Sequence, residues 1–511
     1  MASATTANGA VSATTANGAV SATTANGAVS LADTGNARVN LFFKLNREAH
    51  SSFNFFELID NSWDEDPLDT IKILFNCRDC RGGKGDRKTF LFALDHIFTH
   101  HYDIWTQIIK YIPEYGRYLD WIETVNLILE FGDCDSIDPI IILIVDQLNN
   151  DYENMINGRP VSLLAKWLPS EKKKWNKKGI NKYICKKLLN IQEVYHWHYK
   201  SLRKKYLTPL RSYIDIVEKH MCSNTWDEID FSKVPSIAMV RLKKAFAKHV
   251  PTEFNNWKDA LLVGESTVNF SQLDPYILVK QYQNRYIVDD VIEEQWKGLT
   301  DKIAGYGALN NTLVICDVSG SMTGIPMDVS IALGVLISSI TAEPFKNSLI
   351  TFSSKPVFHI LPNNCKTLLD KIKNISKMHW EMSTDLKAVF KLILDRALSY
   401  QLSNSQMPKR LIILSDMQFD QATGGNNRTN FEEIEVSYRT AGYIRPDIIF
   451  WNLSSGVSAE FPVAYNQNGV ALISGYRADI LKYIINGKDI TPYNIMRETI
   501  DSARYEQIKI S

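Results

Sequence analysis

From about residue 40 to residue 300, apolar side chains recur at spacings of three and four. Leu68, Ile71, Leu74 and Phe75 form one such stripe, and Leu91, Leu94, Ile97 and Phe98 another. That period belongs to amphipathic helices, and strand-like alternation is rare in this stretch. Asp66-Pro67 marks one helix start, with proline where a first-turn N–H needs no partner. The pattern predicts an all-α stack of helix pairs, because each pair exposes an apolar face that a neighbour must cover.

The pattern changes near residue 308. Thr312–Cys316, Ser348–Phe352, Val357–Leu361, Arg410–Leu414, Asp447–Asn452 and Val470–Ser474 are short apolar runs. Their length and continuity predict buried strands. Between and after them, Pro326–Ala342, Asp385–Leu398, Ala478–Ile485 and Thr491–Ser502 read as helices. Alternation of strands and helices predicts an α/β doubly wound, mostly parallel, Rossmann-like sheet. Ligands of such sheets sit beyond the carboxyl ends of the strands, at the switch point.

The first thirty residues obey neither pattern. ATTANGAVS occurs three times without interruption, at 4–12, 13–21 and 22–30. These copies lack charge and aromatic rings, so a disordered tail over 1–35 is the expectation. The chain of 511 residues thus divides into that tail, a helical domain over 36–307 and an α/β domain over 308–511. No apolar run approaches the roughly 20 residues of a membrane span. Seven scattered cysteines and the lack of a secretory leader point to an intracellular, cytoplasmic setting.

Net charge is zero, with 57 basic and 57 acidic residues, but the charges are not evenly spread. Residues 40–165 hold 11 Lys+Arg and 21 Asp+Glu, a balance of −10. Residues 166–211 hold 14 Lys+Arg and two acids, a balance of +12. Among these bases are Lys172, Lys173, Lys174, Lys177, Lys178, Lys182, Lys186, Lys187, Arg203, Lys204 and Lys205. Trp167, Trp175, Tyr183, Tyr195, Trp197, Tyr199 and Tyr206 are interleaved with them. Cations neutralise phosphates and rings stack on bases, so a nucleic-acid surface is one reading. A solvated face paired with the preceding acidic segment is the other. Arg81-Gly-Gly-Lys-Gly-Asp-Arg87 looks like a phosphate loop, but it lacks P-loop spacing and a preceding strand. It reads better as a glycine-rich connection between helices.

At the expected strand ends stand Asp317, Ser319 and Ser321, then Thr384, then Asp416. All are hard oxygen donors, which suits Mg²⁺ or Mn²⁺. No G-x-S-x-G elbow surrounds Ser319, and no histidine accompanies the set, so the chain reads as a non-enzyme. The D-x-S-x-S string with its later Thr and Asp resembles the metal-ion-dependent adhesion site of von Willebrand factor A domains. The resemblance spans about 308–511. It implies that hydroxyls bind the ion directly, that both aspartates act largely through water, and that an acidic side chain of a protein partner takes the open position.

The two-part layout resembles the Ro/TROVE class, in which HEAT-like helices carry an A domain. Asp66-Pro67-Leu68-Asp69-Thr70, Arg78-Asp79 and the Gly-Gly-Lys-Gly stretch through Arg87 carry that likeness. Leu164–Glu171 and Val234-Pro235-Ser236 resemble a related family of unassigned function with the same layout. The Ro/TROVE resemblance implies binding of structured or misfolded RNA. The alternative is a protein–protein adaptor that works through the metal site and has no RNA role.

Overall fold

The structure is a computed structural model. It describes residues 21–24, 26–170, 179–283, 287–307, 309–352, 356–375, 385–420, 430–454, 460–487 and 489–511. The described chain has two short strands near its start, β1 (Ser21–Thr23) and β2 (Val29–Leu31), then helices, then a six-stranded sheet. The sheet strands are β3 (Thr312–Cys316), β4 (Ser348–Thr351), β5 (Val357–Ile360), β6 (Arg410–Ser415), β7 (Asp447–Asn452) and β8 (Val470–Ser474).

Their order is β5-β4-β3-β6-β7-β8. Every pairing is parallel except β4 with β5. β3, β4 and β8 are buried at every residue, as strands covered on both faces must be. β5 alternates little and is largely exposed, the pattern of an edge strand. From β3 the chain first builds outward through β4 and β5, then returns to the other flank of β3 with β6. The switch point therefore falls between β3 and β6.

Helices hold this sheet closely. Ile325–Ile340 follows β3, and a Cβ on its Gly334 would lie 2.3 Å from Cys316 Sγ. Only glycine permits that approach of helix to strand. Leu386–Ser399 is capped by Asp385, whose carboxylate accepts from Ala388 N at 2.9 Å.

Two compact units emerge. One comprises Met1–Ile73, Gly82–Lys84 and Phe270–Tyr505, and the other Leu74–Arg81, Gly85–Asn269 and Glu506–Ser511. The change from helix to strand falls near residue 308, but compactness divides the chain elsewhere. Helices Pro275–Tyr282 and Asp290–Ala304 pack against Ile325–Ile340, so their apolar stripes belong with the sheet. Helices are the regular elements of the second unit's described residues, with Lys88–His100, Tyr118–Glu130, Asp138–Ile156 and Ser236–His249 among the longer ones.

The expectation of a disordered tail over 1–35 needs correction for its described part. The third repeat forms an antiparallel ribbon of β1 and β2. Thr24 Oγ1 donates to Phe419 O at 2.7 Å, and Asn26 Nδ2 to Gln418 O at 2.9 Å. Leu31 and Phe461 exchange backbone hydrogen bonds of 2.8 and 2.9 Å. Composition alone pointed to disorder because these anchors lie 392 or more residues away in sequence. No helix among the described residues is long and apolar enough to cross a membrane.

Candidate functional site

The parallel register of β3 and β6 sets Cys316 opposite Leu414. The next residues out, Asp317 and Ser415, therefore stand opposite each other at the switch point, with Asp416 one residue further along. Asp317 N donates to Leu414 O at 2.9 Å, extending the ladder by one bond. Asp317 is fully buried, Ser319 nearly so, and Asp416 is 6% exposed.

A hydrogen-bond net fixes the first carboxylate. Asp317 Oδ1 accepts from Ser319 N at 2.9 Å, and Oδ2 accepts from Ser415 Oγ at 2.6 Å. Ser319 Oγ lies 3.0 Å from Ser321 Oγ, and Ser321 is open to solvent. Asp416 Oδ1 accepts from Gln418 N at 3.1 Å. Ser415 is a member of the net that the D-x-S-x-S reading did not include. Its only signal in sequence was its place just before Asp416.

Burial pushes the Asp317 carboxyl up to about 6, and the neighbouring charge of Asp416 adds to the rise. Hydrogen bonds from Ser415 and Ser319 partly offset both effects. No Lys or Arg among the described residues pairs with either aspartate. Two adjacent acids without a basic partner need a cation or a proton. Among the described residues, no group of three or more His, Cys, Asp or Glu is placed to hold a metal ion. The donors gathered at the strand ends are carboxylates and hydroxyls, a set whose chemistry fits a hard divalent ion. Thr384 lies outside the described residues, while its neighbour Asp385 caps the helix that follows.

The basic run divides differently. Lys172, Lys173, Lys174, Lys177 and Lys178 lie outside the described residues. Lys182 and Lys187 are exposed and Lys186 half-buried on helix Ile180–Leu189. Arg203, Lys204 and Lys205 are exposed on a π-helical turn, Arg203–Leu207. Lys187 meets Asp138 at 3.7 Å across an open surface, and Lys205 lies over the rings of Tyr152 and Tyr206. Lys182, Lys186, Arg203 and Lys204 form no ion pair with a described residue. General pairing with the acidic segment therefore does not account for these cations.

The aromatics sort by burial. Tyr206 is core, but Tyr195 and Trp197 are 46% and 55% exposed. Their rings stack at 4.7 Å and 14°. Tyr195 N donates to His198 Nδ1 at 3.0 Å, which fixes the start of helix His196–Leu202. Two large rings are thus held flat against each other in water, Trp197 six residues ahead of a cationic turn.

The Arg81–Arg87 loop has no such freedom. Buried Arg78 and half-exposed Arg87 both grip Asp120, at 2.7 Å each. A Cβ on Gly116 would strike that carboxylate, so glycine is needed there. Lys84 donates to the carbonyls of Phe42 and Leu45 and to Ser474 Oγ. Its cations are used in packing, as a connection between helices requires.

The two parts of the chain match two family models. Residues 24–107 and 139–309 match a domain of unknown function, DUF2828, and residues 311–509 match another, DUF7788. The chain is 31% identical over 495 residues to uncharacterized protein L728 of Acanthamoeba polyphaga mimivirus. That match covers 92% of this chain and 85% of the viral protein. The chain belongs to the family of that protein. Among solved structures, the Ro (RSR) protein of Deinococcus radiodurans matches 91% of this chain and 99% of its own, at 12% identity and a TM-score of 0.47.

Proposed function

We propose that the chain is a non-enzymatic binding scaffold with two sites. The helical unit binds RNA, in the manner implied by the Ro/TROVE resemblance. The sheet carries a metal-dependent adhesion site of the von Willebrand factor A type.

The exposed Tyr195–Trp197 stack beside Arg203, Lys204 and Lys205 carries the RNA reading. Stacked rings in water expose apolar surface that an unpaired base can cover, and base–ring stacking is worth about 1–3 kcal/mol per base. The adjacent cations meet the backbone. Since every base has a π-face, such a platform selects unpaired strand over sequence.

At the switch point, Asp317 and Asp416 supply charge, Ser319 and Ser321 supply hydroxyls, and Ser415 orients Asp317; the A-domain resemblance implies Thr384 as a further hydroxyl. A bound Mg²⁺ or Mn²⁺ would neutralise the aspartates and take a carboxylate from a protein partner. The uncompensated charge of the two aspartates supports this second site, and an adaptor role through it stands without any RNA role.

A filter-binding titration of the full chain with single-stranded RNA tests the first site. If the six described cations each meet a phosphate, log affinity falls against log salt with a slope of about −4. Absence of binding at low salt, or a flat salt profile, overturns it.

A further inference from the structure

At the opposite end of the sheet from Asp317 lies a pocket of about 410 Å³. It opens where β3 and β6 begin, between helix Leu386–Ser399 and the edge strand β5. Leu313, Phe345, Phe358, Leu392 and Met407 line it. Its volume is in the lower part of the range of small-molecule sites, about 300–1,000 Å³. Protein interiors are packed without such voids, so apolar walls around open space are a binding feature more than a packing one.

The pocket has one charged residue in its lining, Arg396. Its guanidinium lies 4.9 Å from the centre of the Phe358 ring, and its side chain is exposed. It forms no ion pair with a described residue. No acidic side chain lines the pocket. An apolar chamber with one unpaired cation at the wall suits a ligand of matching polarity. The body would be apolar or aromatic and the polar end a carboxylate or sulfonate, which guanidinium groups bind through paired N–H donors.

We propose that this pocket binds a small amphipathic monoanion, with Arg396 holding the acid group and Leu392 and Phe358 enclosing the apolar body. The site is independent of the aspartates, which stand at the other ends of the same strands.

Anilinonaphthalene sulfonate and its uncharged relative N-phenylnaphthylamine are the probes. Fluorescence titration of the full chain should show saturable 1:1 binding of the sulfonate. Leu392→Trp, which fills the chamber, should abolish binding of both probes, with circular dichroism showing an unchanged fold. Arg396→Gln should weaken the sulfonate by about tenfold and leave the neutral probe unchanged. Arg396→Lys should restore only part of the loss, because an ammonium keeps the charge but not the paired N–H donors. Non-saturable binding, or equal binding by Leu392→Trp and the parent chain, overturns the proposal. So does a dimer in solution that Leu392→Trp dissociates, because a second copy would then be the occupant.

Discussion

The switch-point aspartates and the Tyr195–Trp197 surface solve recognition in opposite ways. Asp317 and Asp416 are buried, lie 99 positions apart in the chain, and meet only because β3 and β6 pair. Tyr195, Trp197 and the cations at 203–205 are exposed and nearly contiguous in sequence. A buried site tolerates little change without altering stability, because its charges are desolvated. An exposed site can lose a ring or a charge at almost no cost to the fold. Stability and binding measurements should therefore separate the two regions.

The largest effect should come from neither site but from the helical unit's buried ion pairs. Replacing Asp120 with Ala leaves Arg78 buried and unpaired, beside Arg87. Urea unfolding should show a loss of about 3–5 kcal/mol. A loss under about 1 kcal/mol would mean that this unit is held by something other than the grip on Asp120.

Next comes the dependence of the carboxylate site on pH. Folding raises the Asp317 carboxyl to about 6, so the folded state keeps its proton longer than the unfolded chain. Stability of the metal-free protein should fall as pH rises from about 4 through 6, on the order of 3 kcal/mol in all. A divalent ion opposes that loss, so the increase in Tm on adding Mg²⁺ should grow as pH rises through about 6. Asp317→Asn should remove both the pH dependence and the response to Mg²⁺. An equal Mg²⁺ effect at pH 5 and pH 7.5 would count against a cation held by these carboxylates.

A smaller effect is expected where the third repeat meets the loop after β6. Thr24→Ala deletes two buried hydrogen bonds, one donated to Phe419 O and one accepted from Ala28 N, and should cost about 2 kcal/mol. It should also speed proteolysis within the first 30 residues. Unchanged cleavage would mean that the ribbon is held by its other contacts, those of Asn26 with Gln418 and of Leu31 with Phe461.

The same contrast explains what was legible in the sequence. β3 and β6 stood out because strands buried on both faces are continuous apolar runs, and Asp317 and Asp416 followed from their ends. Ser415 did not stand out, because nothing local says that the last strand residue turns toward another strand's acid. The third repeat's ribbon was hidden for a similar reason, since Thr24 and Asn26 find their partners at residues 418 and 419. Amphipathic stripes at 275–304 announced helices but not which surface would cover them. In the basic run, spacing alone could not separate buried Tyr206 from exposed Trp197.

The most direct test compares Trp197→Ala and Asp317→Ala for binding of one single-stranded RNA at fixed low salt, each with and without chelator. The account predicts that Trp197→Ala weakens binding by about tenfold or more, at unchanged stability. Asp317→Ala and chelator should leave RNA affinity as it was. Loss of RNA binding with Asp317→Ala or chelator, with Trp197→Ala unaffected, would contradict it.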